Sequence, residues 1–340
     1  MPSITILGAG VTGMTIASML PRHYDITIVG EHLPGDDTKE WSSPWAGAIW
    51  IGVHNSQPRE QQMQLRGLAG LWRLAETNPE SSLRKMEMRE IMDMGTKEDV
   101  WYAGKVPDFR FLEPNELPKG ALYGMTYKTV MLQPKKFLPW MKARLEDRGV
   151  KFVRTCVNSL GDLGGMGHDV LVNASGFGAE KLADVREADF VPNTMQVVVV
   201  KAPLNFNSLF VRRKPGAYST AFARGDGTVW VGGILEQSRE LAVAEEGRAT
   251  ICRNAHENNP DLFPSPKLED WDILFDQKGR YPTMRPEVGV RCEKSLVGKQ
   301  RVVHAYGPHA GGYVYSFGLA RDVVNLVDEY VGELPKTAKL

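Results

Sequence analysis

No run of apolar residues in the 340-residue sequence approaches membrane-spanning length, so the chain is expected to be soluble and to have no membrane partner. Neither sign of charge is in excess: 41 Lys and Arg balance 41 Asp and Glu, and the whole-chain field gives no reason to expect nucleic acid as a partner. Cysteine is scarce. Cys156, Cys252 and Cys292 are odd in number, widely spaced and free of a CxxC pair, which argues against a disulfide framework or a zinc site and for a reducing compartment. The seven histidines show no ligand spacing with carboxylates or cysteines, so no metal is expected, and the missing GxSxG disfavours a serine hydrolase. The first residues lead into a strand-like segment without the basic region or cleavage site of a secretory signal, so export is not expected.

What is present is ordinary in bulk, 42% hydrophobic and 24% charged residues, but patterned along the chain. The length exceeds what one core usually serves, so two domains are expected. Residues 4–7 read as a strand, 11–20 as an amphipathic helix and 25–29 as a second strand, a βαβ opening. Beyond Asn55 the alternation stops: Gln- and Arg-rich helical stretches and a Met-rich patch over 86–94, read as core filler, suggest an insertion. A helix over 134–148 and strands over 151–154 and 169–173 restore the first pattern. From Gln196 the strands read as antiparallel: 197–200, 209–212 and 221–224, the last joined to 229–234 across Gly225-Asp226-Gly227 as a hairpin. A strand over 302–306 then leads through a glycine turn into a helix over 316–330. The expected fold class is α/β: a Rossmann-like domain from residues 1–52, 134–195 and 298–340, interleaved with a mixed or antiparallel-sheet α+β substrate domain from 53–133 and 196–297.

Gly8-Ala9-Gly10-Val11-Thr12-Gly13 matches GxGxxG between a strand and a helix, the context in which that spacing binds a dinucleotide. Gly8 makes the tight turn, Gly10 lets a pyrophosphate approach the backbone, Gly13 lets the helix pack on the strand, and Val11 and Thr12 open a helix whose N-terminus attracts phosphate. Glu31, followed by His32, stands after the second strand where an acceptor for a ribose hydroxyl is expected; the alternative is a solvated loop charge. These features do not separate FAD from NAD. A second turn does help: His304-Ala305-Tyr306-Gly307, then Gly311-Gly312-Tyr313, offers another helix N-terminus to an electron-rich ring. An ordinary tight turn with Gly311 and Gly312 at positive φ is the alternative.

Several segments in the right order resemble the fungal branch of the D-amino-acid oxidase family across nearly the whole chain. Ser43-Pro44-Trp45-Ala46-Gly47-Ala48 resembles its flavin-contacting loop, Asn173-Ala174-Ser175-Gly176 its Asn-x-Thr-Gly stretch, and 302–307 with Ala310-Gly311-Gly312-Tyr313 its C-terminal signature. The resemblance implies FAD as cofactor. It places Ser42, Ser43, Trp45, Ala46, Gly47, Ser175 and Gly176 beside it, Gly311, Gly312, Tyr313 and Val314 near the flavin ring, and the backbone of Val157 on the adenine side. It also implies hydride transfer from the α-carbon of a small amine or amino acid to the flavin, with dioxygen reduced to hydrogen peroxide and an imine as product. Peroxide chemistry gives meaning to Ala338-Lys339-Leu340, one residue away from Ser-Lys-Leu, so a peroxisomal matrix location through the import receptor is expected, otherwise a cytoplasmic one. A monomer or homodimer is expected.

Hydride transfer of this kind needs a clamp more than an acid or base. Met284-Arg285-Pro286, with Arg291 and Glu293 downstream, resembles the family's Leu-Arg-Pro and Arg-x-Glu, which makes Arg285 the candidate fork for a carboxylate; Arg280-Tyr281-Pro282 permits a rival alignment on Arg280. Tyr218 resembles a tyrosine whose hydroxyl helps hold the carboxylate, and His309 is a candidate proton acceptor for the amine or recogniser of a substrate acid. The bland alternatives are a surface ion pair, a buried structural tyrosine and an idle loop histidine. Leu235 stands where the family tends to place an aromatic, Ala310 replaces a serine-like position, and Thr194-Met195-Gln196 replaces Arg-Gly-Gln, which suggests a larger or more apolar substrate. Oxidation of a secondary amine, cyclic imino acid or specialised metabolite remains open, as does a non-catalytic FAD-binding protein.

Overall fold

Four successive residues of the first strand, Ile4, Thr5, Ile6 and Leu7, are all buried, so both faces of that strand need cover and it belongs inside a helix-flanked parallel sheet. The computed structural model describes residues 1–202, 208–215 and 217–334 and places the strand there. In chain order the elements are β1 (Ser3–Leu7), α1 (Val11–Met19), β2 (Asp25–Gly30), α2 (Pro58–Thr77), β3 (Arg84–Met92), β4 (Arg110–Phe111), β5 (Tyr123–Met131), α3 (Pro134–Glu146), β6 (Lys151–Arg154) and β7 (Val170–Asn173). They continue with α4 (Gly178–Lys181), β8 (Phe190–Lys201), β9 (Leu209–Lys214), β10 (Ala217–Ala223), β11 (Thr228–Glu236), α5 (Glu245–Asn258), β12 (Ile273–Met284), β13 (Arg291–Val297), β14 (Gln300–Tyr306) and α6 (Gly312–Gly332).

One sheet has six strands in the order β13-β14-β7-β1-β2-β6, parallel except for the β13–β14 pair. The other has eight, in the order β12-β8-β11-β10-β9-β3-β5-β4, antiparallel except where β3 lies beside β9. The chain passes from the first sheet to the second and back twice, as an interleaved α/β architecture requires. The hairpin across Gly225-Asp226-Gly227 forms with Ala223 opposite Val229. The Met-rich patch lies on β3, where Met86, Met88 and Met92 are buried; Met94, past the strand, is exposed.

Three expectations differ from the structure. β13 pairs with β14 in the six-stranded sheet, so the division at residue 297 runs between hydrogen-bonded partners; β13 is short and charged and buries only Cys292, so it carries no apolar pattern that would join it to the first sheet. β8 begins at Phe190, before the change of pattern at Gln196, because Asn193 and Thr194 are polar but hydrogen-bonded, Asn193 to Thr283 at 2.9 Å. α6 begins at Gly312 rather than 316, and Gly311, its N-cap, has φ −96°, so the tight-turn alternative with both glycines at positive φ does not apply. Ala338-Lys339-Leu340 lies outside the described residues. Among the described residues no helix is long and apolar enough to cross a membrane.

α6 is held by α2 at unusually short range. A Cβ on Gly318 would sit 2.0 Å from the Met63 carbonyl oxygen, and one on Gly67 would sit 1.9 Å from that of Val314, so the helices cross where neither has a side chain. Gly318→Leu is therefore expected to lower stability by about 3 kcal/mol through overpacking. Urea denaturation reads this as a lower midpoint with the slope retained, and an unchanged midpoint contradicts the close crossing.

Candidate active site

The turn after β1 is built from backbone contacts that only glycine permits. Gly8 has φ +117°, and a Cβ there would lie 2.2 Å from the Ala174 carbonyl oxygen; one on Gly13 would lie 2.0 Å from the oxygen of Gly8. The turn is thereby pressed against the segment after β7, where Ser175 and Gly176 follow. Ser43 ties a third segment to it: its hydroxyl accepts from the Val11 backbone N–H at 3.1 Å, and its carbonyl accepts from the Tyr313 hydroxyl at 2.9 Å. A Cβ on Gly312 would be 3.5 Å from Val11 Cγ1, so the two glycine turns, some three hundred residues apart in sequence, are in van der Waals reach.

A cavity of about 750 Å3 opens from this junction. Gly8, Gly10, Val11 and Thr12 border it at one turn, Gly311, Gly312, Tyr313 and Val314 at the other. Glu31 and His32 border it after β2, Ser42, Ser43, Trp45, Ala46 and Gly47 on the connecting loop, and Val157, Ser175 and Gly176 beside β6 and β7. Gly13 lies behind the wall, in the packing role read for it. The donor set suits FAD: a helix N-terminus with two glycines for a pyrophosphate, the Glu31 carboxylate for a ribose hydroxyl, and a buried Ser175 Oγ that has no hydrogen-bond partner among the described residues.

The far wall of the cavity is the face of the eight-stranded sheet. Residues in alternating phase reach it from β8, Met195 and Val197, and from β10, Tyr218 and Phe222, joined by Trp230 on β11, Arg213 on β9 and the run Gly279 to Pro282 on β12. Phe222 and Trp230 stack at 5.0 Å between ring centres. A Cβ on Gly47 would lie 2.7 Å from Phe222 Cζ, so the loop from the first sheet rests directly on that aromatic pair.

Sequence reasoning placed Tyr218 and His309 in the site, and both border the cavity. His309 is turned toward α2, with Nε2 3.8 Å from Glu60 Oε1. Arg285 does not border the cavity. β12 ends at Met284, and Arg285 lies in the turn beyond it, exposed and 3.6 Å from Asp189, so the surface ion pair is the reading the structure supports. Arg280 does border the cavity but holds Glu40 at 2.6 Å.

Five residues that the sequence did not single out meet at this wall: Arg213 and His54 border the cavity, while Glu90, Tyr102 and Tyr127 are buried next to them without bordering it. Glu90 on β3 is fully buried and accepts from Arg213 Nε at 2.8 Å, the Tyr102 hydroxyl at 2.7 Å and the Tyr127 hydroxyl at 3.0 Å. His54 Nε2 stands 3.8 Å away. Burial alone would raise the Glu90 pKa; the charges of Arg213 and His54 outweigh it and bring the carboxyl down to about 2. The same burial, with the Glu90 charge, pushes the Tyr102 and Tyr127 hydroxyls well above their usual range.

Because its folded pKa is depressed, ionised Glu90 contributes stability above the ordinary carboxyl value of 4.5, and this is lost as pH falls toward about 2. Glu90→Gln is expected to cost about 3 kcal/mol at neutral pH by leaving Arg213 buried beside a neutral amide, and to flatten the acid limb of stability below pH 4.5. Thermal melts across pH 2 to 7 test this, and parallel curves for both proteins would contradict it. Gly10→Glu, whose Cβ would lie 2.8 Å from Ser43 Oγ, is expected to yield protein without visible flavin absorbance; an unchanged flavin spectrum refutes the phosphate assignment.

Comparison with known proteins agrees with this geometry. The chain is 27% identical to a D-amino-acid oxidase of Fusarium vanettenii over 98% of its length and 99% of that protein, and 27% identical to one of Schizosaccharomyces pombe (strain 972 / ATCC 24843) over 95% of each. Among solved structures it is similar to glycine oxidase from Geobacillus kaustophilus, with a TM-score of 0.76 at 16% identity over 99% of this chain and 96% of the other. The FAD dependent oxidoreductase family matches residues 3–326, and with both glycine turns, the loop between them and the sheet wall gathered on one cavity, the chain belongs to that family.

Proposed function

We propose that the chain is an FAD-dependent oxidase of an amino acid or related amine, converting the CH–NH bond to an imine while dioxygen becomes hydrogen peroxide. The observation that carries this is the single cavity bordered by both glycine turns on one side and by an apolar, aromatic sheet face on the other. Bound FAD supplies the hydride acceptor and the route for two electrons to dioxygen. The chain's own part is placement. Met195, Val197, Phe222 and Trp230 keep water from the reacting carbon, and Tyr218, whose pKa burial raises, stays protonated and offers a hydroxyl to the substrate. The relatives named D-amino-acid oxidases support a D-amino acid as the first substrate to try. The apolar pair of Phe222 and Trp230 favours an apolar side chain over a polar one.

We further infer that work divides between the two sheets, the six-stranded sheet with α1 and α6 holding the cofactor and the eight-stranded sheet holding the substrate. A peroxisomal matrix location, with the import receptor as partner, is part of this proposal and rests on the peroxide product; imaging the full-length protein against a peroxisomal marker tests it, and a diffuse signal argues against it.

Anaerobic mixing of the purified flavoprotein with D-amino acids, N-alkyl amino acids and cyclic imino acids is expected to bleach the flavin with apolar D-amino acids first. Bleaching by secondary or cyclic amines alone would move the substrate class, and bleaching by none would favour a non-catalytic flavin binder. Arg285→Leu is expected to leave KM within about twofold, as for an exposed residue remote from the cavity. A steep rise in KM would return Arg285 to the site.

A further inference from the structure

Three arginines border the cavity, and two are committed to carboxylates of the protein. Arg239 grips Glu180 through both terminal nitrogens, at 3.0 and 2.5 Å. Arg280 holds the Glu40 carboxylate at 2.6 Å and its carbonyl oxygen at 2.9 Å. Arg213 differs. Its Nε donates to Glu90 at 2.8 Å, while neither terminal nitrogen has a hydrogen-bond partner among the described residues. A guanidinium engaged through Nε keeps its end-on pair of donors, the edge that matches a second carboxylate.

Sheet register surrounds that edge with further donors. Tyr218 lies directly opposite Arg213 on β10, its ring centre 5.5 Å from the guanidinium carbon. Tyr281, which borders the cavity on β12, is pushed by burial and by Tyr218 up to about 12, so its hydroxyl remains a donor. Behind Arg213, Glu90 is fixed by Tyr102 and Tyr127, and the plane of the guanidinium follows from the carboxylate that holds it.

We infer that Arg213, flanked by Tyr218 and Tyr281, receives the carboxylate of the substrate, and that Glu90 is the positioning residue that aims the fork. This rests on the amine-oxidase reading only for the identity of the carboxylate as part of a substrate. The carboxylate takes the end-on donors of Arg213, and the rest of the molecule lies toward Phe222 and Trp230. Arg213 is the single uncommitted guanidinium at the cavity among the described residues, so one carboxylate of the substrate takes this fork and its apolar part packs on the aromatic pair.

The test titrates FAD-loaded protein calorimetrically with benzoate and with benzamide, which share a shape but not a charge. The protein is expected to prefer benzoate. Arg213→Lys keeps a cation for Glu90 and loses the fork, so the benzoate Kd is expected to rise about tenfold or more while the benzamide Kd moves less than about twofold. Glu90→Gln is expected to raise the benzoate Kd and the KM of a monocarboxylic substrate with kcat held, and Glu90→Asp to recover part of the loss. No preference for benzoate, an unchanged benzoate Kd in Arg213→Lys that retains FAD, or equal losses for both ligands overturns the inference. Should Arg213→Lys fail to retain FAD, the double variant Glu90→Gln with Arg213→Gln removes both buried charges together and is judged by the same two titrations. Selective loss of benzoate in a protein that turns over no amine would sink the oxidase reading and leave the carboxylate site standing; turnover with KM unmoved by Arg213→Lys would do the reverse.

Discussion

The fold depends on a junction in which Ser43 joins two distant glycine turns, its hydroxyl accepting from Val11 and its carbonyl from Tyr313. Each hydrogen bond contributes about 1 kcal/mol, but their placement matters more than their sum. They hold the N-terminus of α1, the loop that follows β2 and the start of α6 within one cradle, and backbone contacts at Gly8, Gly13, Gly67 and Gly318 leave that cradle almost no freedom to open. A ligand that is long and bipartite can then be gripped along its length by segments from both ends of the chain.

The second sheet supplies what the first lacks. Its inner face is apolar toward β8, β10 and β11 and polar toward β3 and β9, where Glu90 and Arg213 form a buried pair within a ring of tyrosines. A buried ion pair is weak evidence for stability, since hydrophobic replacement often serves as well, so its persistence at a cavity wall points to a use for its free edge. Two nitrogens of one guanidinium thus link packing in the sheet to recognition in the cavity.

Much of this was legible in the sequence. The βαβ opening, the Asp-Gly hairpin and the return to the first sheet followed from spacing and turn chemistry, and the convergence of both glycine motifs on one FAD site from the family resemblance. The clamp was not. Arg285 sits in a motif-like string, Met284-Arg285-Pro286, yet β12 ends one residue earlier and the side chain turns to Asp189. Conversely, β9 was read as ending at Arg212, whose own side chain pairs with Asp93 on the other face; two further residues bring Arg213 to the inner face, in phase with Val211. Glu90 was hidden among methionines because a buried carboxylate gives no signal until its partners, from β5, β9 and the loop after β3, are assembled around it. Strand phase at the ends of elements is the least constrained quantity in a sequence, and here it decides that Arg213 rather than Arg212 faces the cavity.

The central claim is that both turns grip one FAD molecule. A crystal structure of the protein with FAD bound tests it most directly: the account predicts phosphates over Gly8 to Thr12 and the flavin ring between Gly311 to Val314 and the Phe222–Trp230 face, whereas FAD held at one turn only, or outside this cavity, would contradict it.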